Sequence, residues 1–179
     1  MVSINLNNSK MKALKQVFTV MLLVSSITFY GQTATDYYKN GNLKYTAKDY
    51  AGAIEDYTKA IELNPNYIMA YNERGFSKDQ LGDYKGAIED FSKSISLNPG
   101  NAETFYNRGF AKDELNDYKG AEDDYTKTIE LNPKNAKAYY NRGIDKSNLE
   151  DKKGACIDWK RAGDLGNMEV FDLMSKYCK

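Results

Sequence analysis

Apolar, aromatic and small residues recur along this chain at a fixed interval. Gly41, Gly75, Gly109 and Gly143 stand 34 apart, as do Ala53, Ala87, Ala121 and Ala155, and Pro65, Pro99 and Pro133. An aromatic ring keeps the same step at Tyr57, Phe91, Tyr125 and Trp159, and another at Tyr37, Tyr71, Phe105 and Tyr139. A sustained period of this length marks a repeat architecture. Apolar positions inside a unit fall at helical spacing, as in Ala87, Ile88, Phe91 and Ile95, so each unit predicts two helices. The first helices are expected over about 34–47, 68–81, 102–115 and 136–149. Asp49, Asp83, Asp117 and Asp151 then stand where a side-chain oxygen would cap the second helix. Asn-Pro closes the first three units at 64–65, 98–99 and 132–133, because proline cannot continue a helix and disfavours it in the residue before.

The repeated Gly and Ala let helix backbones approach, and the recurring ring fills the space opposite. One two-helix unit cannot bury both of its faces, so neighbours must stack. The expectation is an all-α stack of four units, 34–67, 68–101, 102–135 and 136–167. Residues 168–179 carry Val170, Leu173, Met174 and Tyr177 on one helix face, which suits a helix that covers the last exposed face of the stack.

Residues 1–31 read differently. They hold no acid; Lys10, Lys12 and Lys15 precede an apolar run from Val17 to Tyr30, and Gly31 follows. A basic head, a short apolar stretch and a small residue describe a secretory signal peptide. The run is shorter than the roughly 20 residues of a spanning helix, and an uncleaved anchor is the alternative. Met11 opens a more ordinary signal than Met1, so residues 1–10 would then be an over-long start. The expected location is periplasmic, cell-envelope or secreted, with the membrane met only through an uncleaved signal. The whole chain has 25 bases and 25 acids. Loss of three Lys and no acid leaves 22 bases against 25 acids, a net of −3.

That balance argues against a nucleic-acid partner, which would call for a basic surface. The chain has no His, which removes Ser/His/Asp and Cys/His catalytic sets and imidazole metal ligands. No lone Gly belongs to a phosphate-cradling loop, and no acidic loop has calcium spacing. No metal or other cofactor and no catalytic residue is expected. Asp56, Asp90 and Asp124 each precede a Lys by three positions, at Lys59, Lys93 and Lys127, and read as solvated helix-surface ion pairs. Arg74, Arg108 and Arg142 recur before glycine; a structural or solvated role is favoured over a groove lining for an acidic partner. Cys156 and Cys178 are the only cysteines. In an exported chain an even pair suits a disulfide that fastens the terminal helix; two free thiols, one of them buried, are the alternative.

The segments Tyr140-Asn-Arg-Gly143 and Ala53-Ile-Glu-Asp-Tyr-Thr-Lys-Ala-Ile-Glu-Leu-Asn-Pro65, set in the 34-residue frame, resemble the tetratricopeptide repeat family over about residues 34–167. Departures are Asn40 and Lys44, where the family favours apolar or aromatic residues, Glu122 in place of Ile54 and Ile88, and a fourth unit that ends Leu165-Gly-Asn167 without proline. The resemblance implies a right-handed superhelical α-solenoid whose first helices wall a concave groove. By position, it places in that groove Tyr38 and Asn42 from unit one, and Met69, Asn72, Phe76 and Asp79 from unit two. Unit three contributes Glu103, Tyr106, Phe110 and Asp113, and unit four Lys137, Tyr140, Ile144 and Ser147. Some family members clamp a chaperone's terminal carboxylate with Lys, Asn and Arg. Here Tyr38, Asn42, Glu73, Glu103 and Asn107, or one unit later Asn72, Phe76, Asn107, Lys137 and Asn141, occupy those places. Neither set is that clamp. The implied function is an exported protein–protein interaction scaffold or adaptor that binds a segment or helix of a partner, with a monomer favoured. A membrane-anchored organiser of an envelope assembly is the second reading, and an enzyme using acids alone a distant third.

Overall fold

The computed structural model describes residues 32–178. The expected signal segment lies outside the described residues. Nine helices are found among them: α1 Ala34–Thr46, α2 Tyr50–Leu63, α3 Ile68–Gln80, α4 Tyr84–Leu97, α5 Ala102–Asp113, α6 Tyr118–Leu131, α7 Ala136–Asn148, α8 Lys152–Asp164 and α9 Val170–Tyr177. Each odd-numbered helix from α1 to α7 packs on the helix that follows it, and each second helix packs on the first helix of the next unit, or on α9 at the end. The protein is all-α, with four two-helix units and a terminal helix. No described helix is long and apolar enough to cross a membrane.

Local chemistry sets the helix ends. The carboxylates of Asp49, Asp83, Asp117 and Asp151 accept from the backbone N–H of Gly52, Gly86, Gly120 and Gly154 at 2.9–3.0 Å. The residue before each of these caps has a left-handed backbone: Lys48 φ 62°, Gly82 φ 77°, Asn116 φ 60° and Glu150 φ 67°. Only Gly82 has no Cβ to oppose that conformation. Glu150→Gly is therefore expected to raise stability by roughly 1 kcal/mol; an unchanged or lower urea midpoint would show that the turn is not strained.

Tyr57, Phe91, Tyr125 and Trp159 are at most 1% exposed. Each fills the notch left by the glycine of its own unit: a Cβ built on Gly41, Gly75, Gly109 or Gly143 would lie 2.5–3.0 Å from that ring. The aromatic repeat is core, as its period suggests. Val170 is fully buried against Ala155, Trp159 and Ala162, with Leu173 and Met174 beside it, so α9 covers the end of the stack. Tyr177 stays 39% exposed at its edge.

Cys156 and Cys178 form a disulfide, with Cα atoms 5.6 Å apart and a sequence separation of 22. It ties α9 to α8. Its removal in a Cys156→Ala/Cys178→Ala protein is expected to cost roughly 3 kcal/mol by loop entropy. Hydrogen exchange should show the loss concentrated in α9; alkylation of both thiols without reductant would contradict the bridge.

One reading is overturned. Asp56, Asp90 and Asp124 are not solvated partners of Lys59, Lys93 and Lys127: with Asp158 they are only 2–6% exposed. They sit on the buried side of the second helices, next to the core ring. Their partners come from the first helices. Arg74, Arg108 and Arg142 grip Asp90, Asp124 and Asp158 in bidentate fashion at 2.6–2.9 Å. Lys78, Lys112 and Lys146 approach the same carboxylates at 2.7–2.8 Å. The free arm of each guanidinium donates to Thr58, Ser92 or Thr126 on the second helix of the preceding unit. The arginines are thus structural, and each links three helices across a unit boundary. Lys44 pairs with Asp56 at 2.7 Å, so it is the first rung of this series; Asn40 leaves that rung without its arginine. Glu122 is accommodated by Lys119 at 3.0 Å.

Candidate binding groove

The first helices bring six of the fourteen predicted groove residues to one seam and commit several of the others to the stack. Between α5 and α7 lie two open depressions, each of about 340 Å³. One is lined by Glu103, Tyr106, Asn107 and Lys137, the other by Phe110, Asp113, Glu114, Asn141 and Ile144 among others. These gather six of the eight residues predicted from units three and four. Phe110 is 39% exposed, and Met69 on α3 is 53% exposed, so both offer apolar surface. Tyr140 is half-buried with Ile144 against the cluster around Trp159. Ser147 lies toward the cap, in a small depression with Trp159, Leu173 and Tyr177.

Other predicted residues spend part of their chemistry inside the protein. The Tyr57 hydroxyl donates to Asn42 Oδ1 at 2.7 Å, and the Thr104 hydroxyl to Asn72 Oδ1 at 3.4 Å. Tyr38 packs on the rings of Tyr57 and Tyr67, at centroid distances of 5.9 and 5.1 Å. Phe76 sets its edge to Phe91. A denser network joins units three and four. Asn141 donates to the hydroxyls of Tyr106 at 3.1 Å and Tyr125 at 3.3 Å, and Tyr125 donates to Asp113 Oδ2 at 2.8 Å. Burial, and then the Asp113 charge, holds the Tyr125 phenol far above its ordinary range.

Asp145 is the residue that sequence reasoning missed. It is fully buried on α7, and neither of its carboxylate oxygens finds a donor. Asp113 Oδ1 and Asp79 Oδ1 are likewise buried without one. The acidity of Asp145 is weakened first by burial, then by Asp113, then by Glu122. Burial and a nearby like charge both favour the protonated carboxyl. Glu73 is raised by burial and then by Glu103; Asp79 is raised by burial, against a lowering by the Gln80 hydrogen bond, with Glu114 adding a smaller rise. Negative charge is crowded along this face.

A different depression, of about 610 Å³, lies between α8 and α9 and is lined by Lys152, Lys153, Ile157, Lys160 and the disulfide among others. It is wide and shallow, and none of the groove residues reaches it.

A stack of helix pairs whose first helices present a seam of aromatic, amide and acidic groups is a helical-repeat scaffold. The chain belongs to the tetratricopeptide repeat family: a family profile described as "Tetratricopeptide repeat" matches residues 102–135, and one described as "TPR repeat" matches 41–78 and 80–112. Domains of this family typically act as protein–protein interaction scaffolds and are generally non-catalytic. Among solved structures the chain is similar to "MamA protein", at 27% identity and a TM-score of 0.74 over 76% of each chain. It is similar to the first such domain of Spaghetti bound to the HSP90 peptide SRMEEVD, at 25% identity and a TM-score of 0.64, covering 66% of this chain and 94% of that one. It is also similar to the Arabidopsis OM64 TPR domain, at 27% identity and 0.61, covering 64% and 94%. No curated protein matches the chain.

Proposed function

We propose that the chain is an exported adaptor that holds a segment or helix of another protein along the seam of its first helices. The observation that carries this reading is the pair of depressions between α5 and α7, where exposed Phe110 and half-buried Tyr106 and Ile144 stand beside polar groups. Apolar and aromatic anchors with nearby polar groups suit recognition of a peptide or helix. The peptide-bound domain of Spaghetti supports the mode of binding, though not the ligand, because Glu73 and Glu103 would repel an acidic peptide. The basic head and apolar run of residues 10–30 support export, and the Cys156–Cys178 bridge suits an oxidising compartment.

Short random peptides selected against the full chain test the binding mode. Selected peptides should lose about tenfold or more in affinity on Phe110→Ala, consistent with loss of an apolar anchor. They should be unaffected by Ile157→Ala, on the exposed face of α8. Equal sensitivity to both substitutions, or sensitivity to Ile157→Ala alone, would overturn the groove. Mass spectrometry of the mature N-terminus tests export; a mature chain that still contains Val17–Tyr30 would favour the membrane-anchored organiser.

A further inference from the structure

The position of Ile157 holds an acid in each of the other units, at Glu55, Glu89 and Asp123. Ile157 is 61% exposed, so burial does not call for the exchange. Its neighbours change with it. In unit three Lys119 pairs with Glu122 at 3.0 Å and Asp123 at 3.2 Å; the equivalent Lys153 meets Cys156 and Ile157 at those positions. Lys152 replaces Tyr50, Tyr84 and Tyr118, and Lys160 replaces Thr58, Ser92 and Thr126. Lys152, Lys153 and Lys160 enter no ion pair among the described residues.

These exchanges meet on one accessible surface. The depression of about 610 Å³ between α8 and α9 is lined by the three lysines, Ile157, Met174, Tyr177 and the Cys156–Cys178 bridge, and by no acid among the described residues. In earlier units the hydroxyls of Thr58, Ser92 and Thr126 accept from the arginine of the next first helix, so this flank of a second helix is where another helix docks. In unit four only α9 follows, with eight residues where α3, α5 and α7 have 12 or 13, and Lys160 stays exposed beside it. A terminal face meant for water keeps a polar surface. Here an acid gives way to an exposed apolar side chain, and cations gather around it without partners. The complement is an occupant with carboxylates for the lysines and an apolar stripe for Ile157. A helix suits the flank, because helices pack on it at every earlier unit boundary.

We infer that the α8–α9 depression docks an acidic amphipathic helix of a partner protein, with its apolar stripe on Ile157, Met174 and Tyr177 and its carboxylates at Lys152, Lys153 and Lys160. The site is separate from the depressions between α5 and α7 and does not depend on the groove reading. The two surfaces select different ligands. Glu103 at the groove turns an acidic helix away, and short peptides do not hold a helix on their own, so the peptides that probe the groove leave the α8–α9 face empty.

The probe is a library of peptides about 20 residues long, enough to form a helix alone, with apolar residues at helical spacing and every other position varied, selected on the full chain. Binders enriched in Asp and Glu are expected. They should lose about tenfold or more in affinity on Ile157→Asp, and likewise on Lys152→Tyr/Lys160→Thr, which should also flatten the dependence on salt. They should be unaffected by Phe110→Ala. The three α8 substitutions restore the residues that unit three carries at these positions, so the fold should survive them, as an unchanged melting temperature would show. Ile157-dependent helices that are basic or neutral would overturn the charge assignment. Acidic helices that depend on Phe110 in place of Ile157, or the absence of any Ile157-dependent helix, would overturn the site and leave the groove to its own test. Ile157-dependent binding to vesicles of an anionic phospholipid, with no such helix found, would assign the face to a membrane and overturn the partner. Self-association lost on Ile157→Asp would seat a second copy there and overturn it too.

Discussion

Replacing Asp124 by Ala is expected to lower the unfolding free energy by about 3–5 kcal/mol, the range for removing one partner of a buried ion pair. Asp124 Oδ1 accepts from Arg108 Nη2 at 2.6 Å, and Oδ2 from Arg108 Nε at 2.9 Å and Lys112 at 2.7 Å. The side chains of Arg108 and Lys112 are 20% and 18% exposed. Loss of the carboxylate leaves two cations facing each other in a largely dry seam. The guanidinium also loses the fork that aims its third nitrogen at Ser92 in the preceding unit. The defect should therefore weaken the boundary between units two and three as well as the α5–α6 pair. Contacts in a solenoid pass only between neighbours, so urea unfolding should become less cooperative as well as earlier.

The first unit supplies the internal control. Asp56 has Lys44, 39% exposed, and no arginine, because Asn40 stands in its place. Asp56→Ala should cost about 1 kcal/mol, closer to an exposed pair. Equal costs at positions 56 and 124 would show that the arginine does not lock the stack. The joint replacement Arg108→Met/Asp124→Leu should recover most of the loss, since apolar residues of similar volume can replace a buried ion pair.

This ladder was present in the sequence and easy to misread. Asp124 and Lys127 are close in sequence, and the three-residue step suggests a surface pair. The true partners lie 16 and 12 residues upstream, and all of them recur with the same period as Gly and Ala. Helix ends were legible to within a residue or two, because Asp caps and Asn-Pro stops act locally. The core ring was legible because Gly and aromatic keep a constant offset. Groove residues were legible as a face but not as free groups. Whether Asn42 or Asp113 keeps its polar atoms for a ligand depends on Tyr57 and Tyr125, whose hydroxyls reach across from another helix. Asp145 could have been noticed as the acid that breaks the Ser77–Ala111 series. Its burial without a donor is a property of the fold and not of the local sequence.

Asp145→Asn is expected to stabilise the protein by roughly 4 kcal/mol at about pH 7, with the gain vanishing below about pH 4. Burial first, then Asp113 and Glu122, hold the folded carboxyl protonated past neutrality, while an unfolded Asp ionises near pH 3.9. Below that value both states carry the proton, and the group's contribution to stability is fully present. As the pH rises the unfolded chain releases its proton and the folded one does not, so stability falls by about 1.4 kcal/mol per pH unit. The groups whose charge acts on Asp145 are Asp113 and Glu122, both acids, and Tyr125 is itself pushed up in part by Asp145, so none of them supplies a compensating positive charge. Asparagine has almost the same shape and no carboxyl proton to lose. The difference in urea-unfolding free energy between the two proteins, taken across about pH 4 to 8, cancels every other titrating group that the substitution leaves alone. A difference independent of pH would mean that Asp145 is ionised in the folded state and held by donors other than Asp113. A difference that grows with pH would show that the buried acid costs the stack stability, which Ser77 and Ala111 at the equivalent positions avoid.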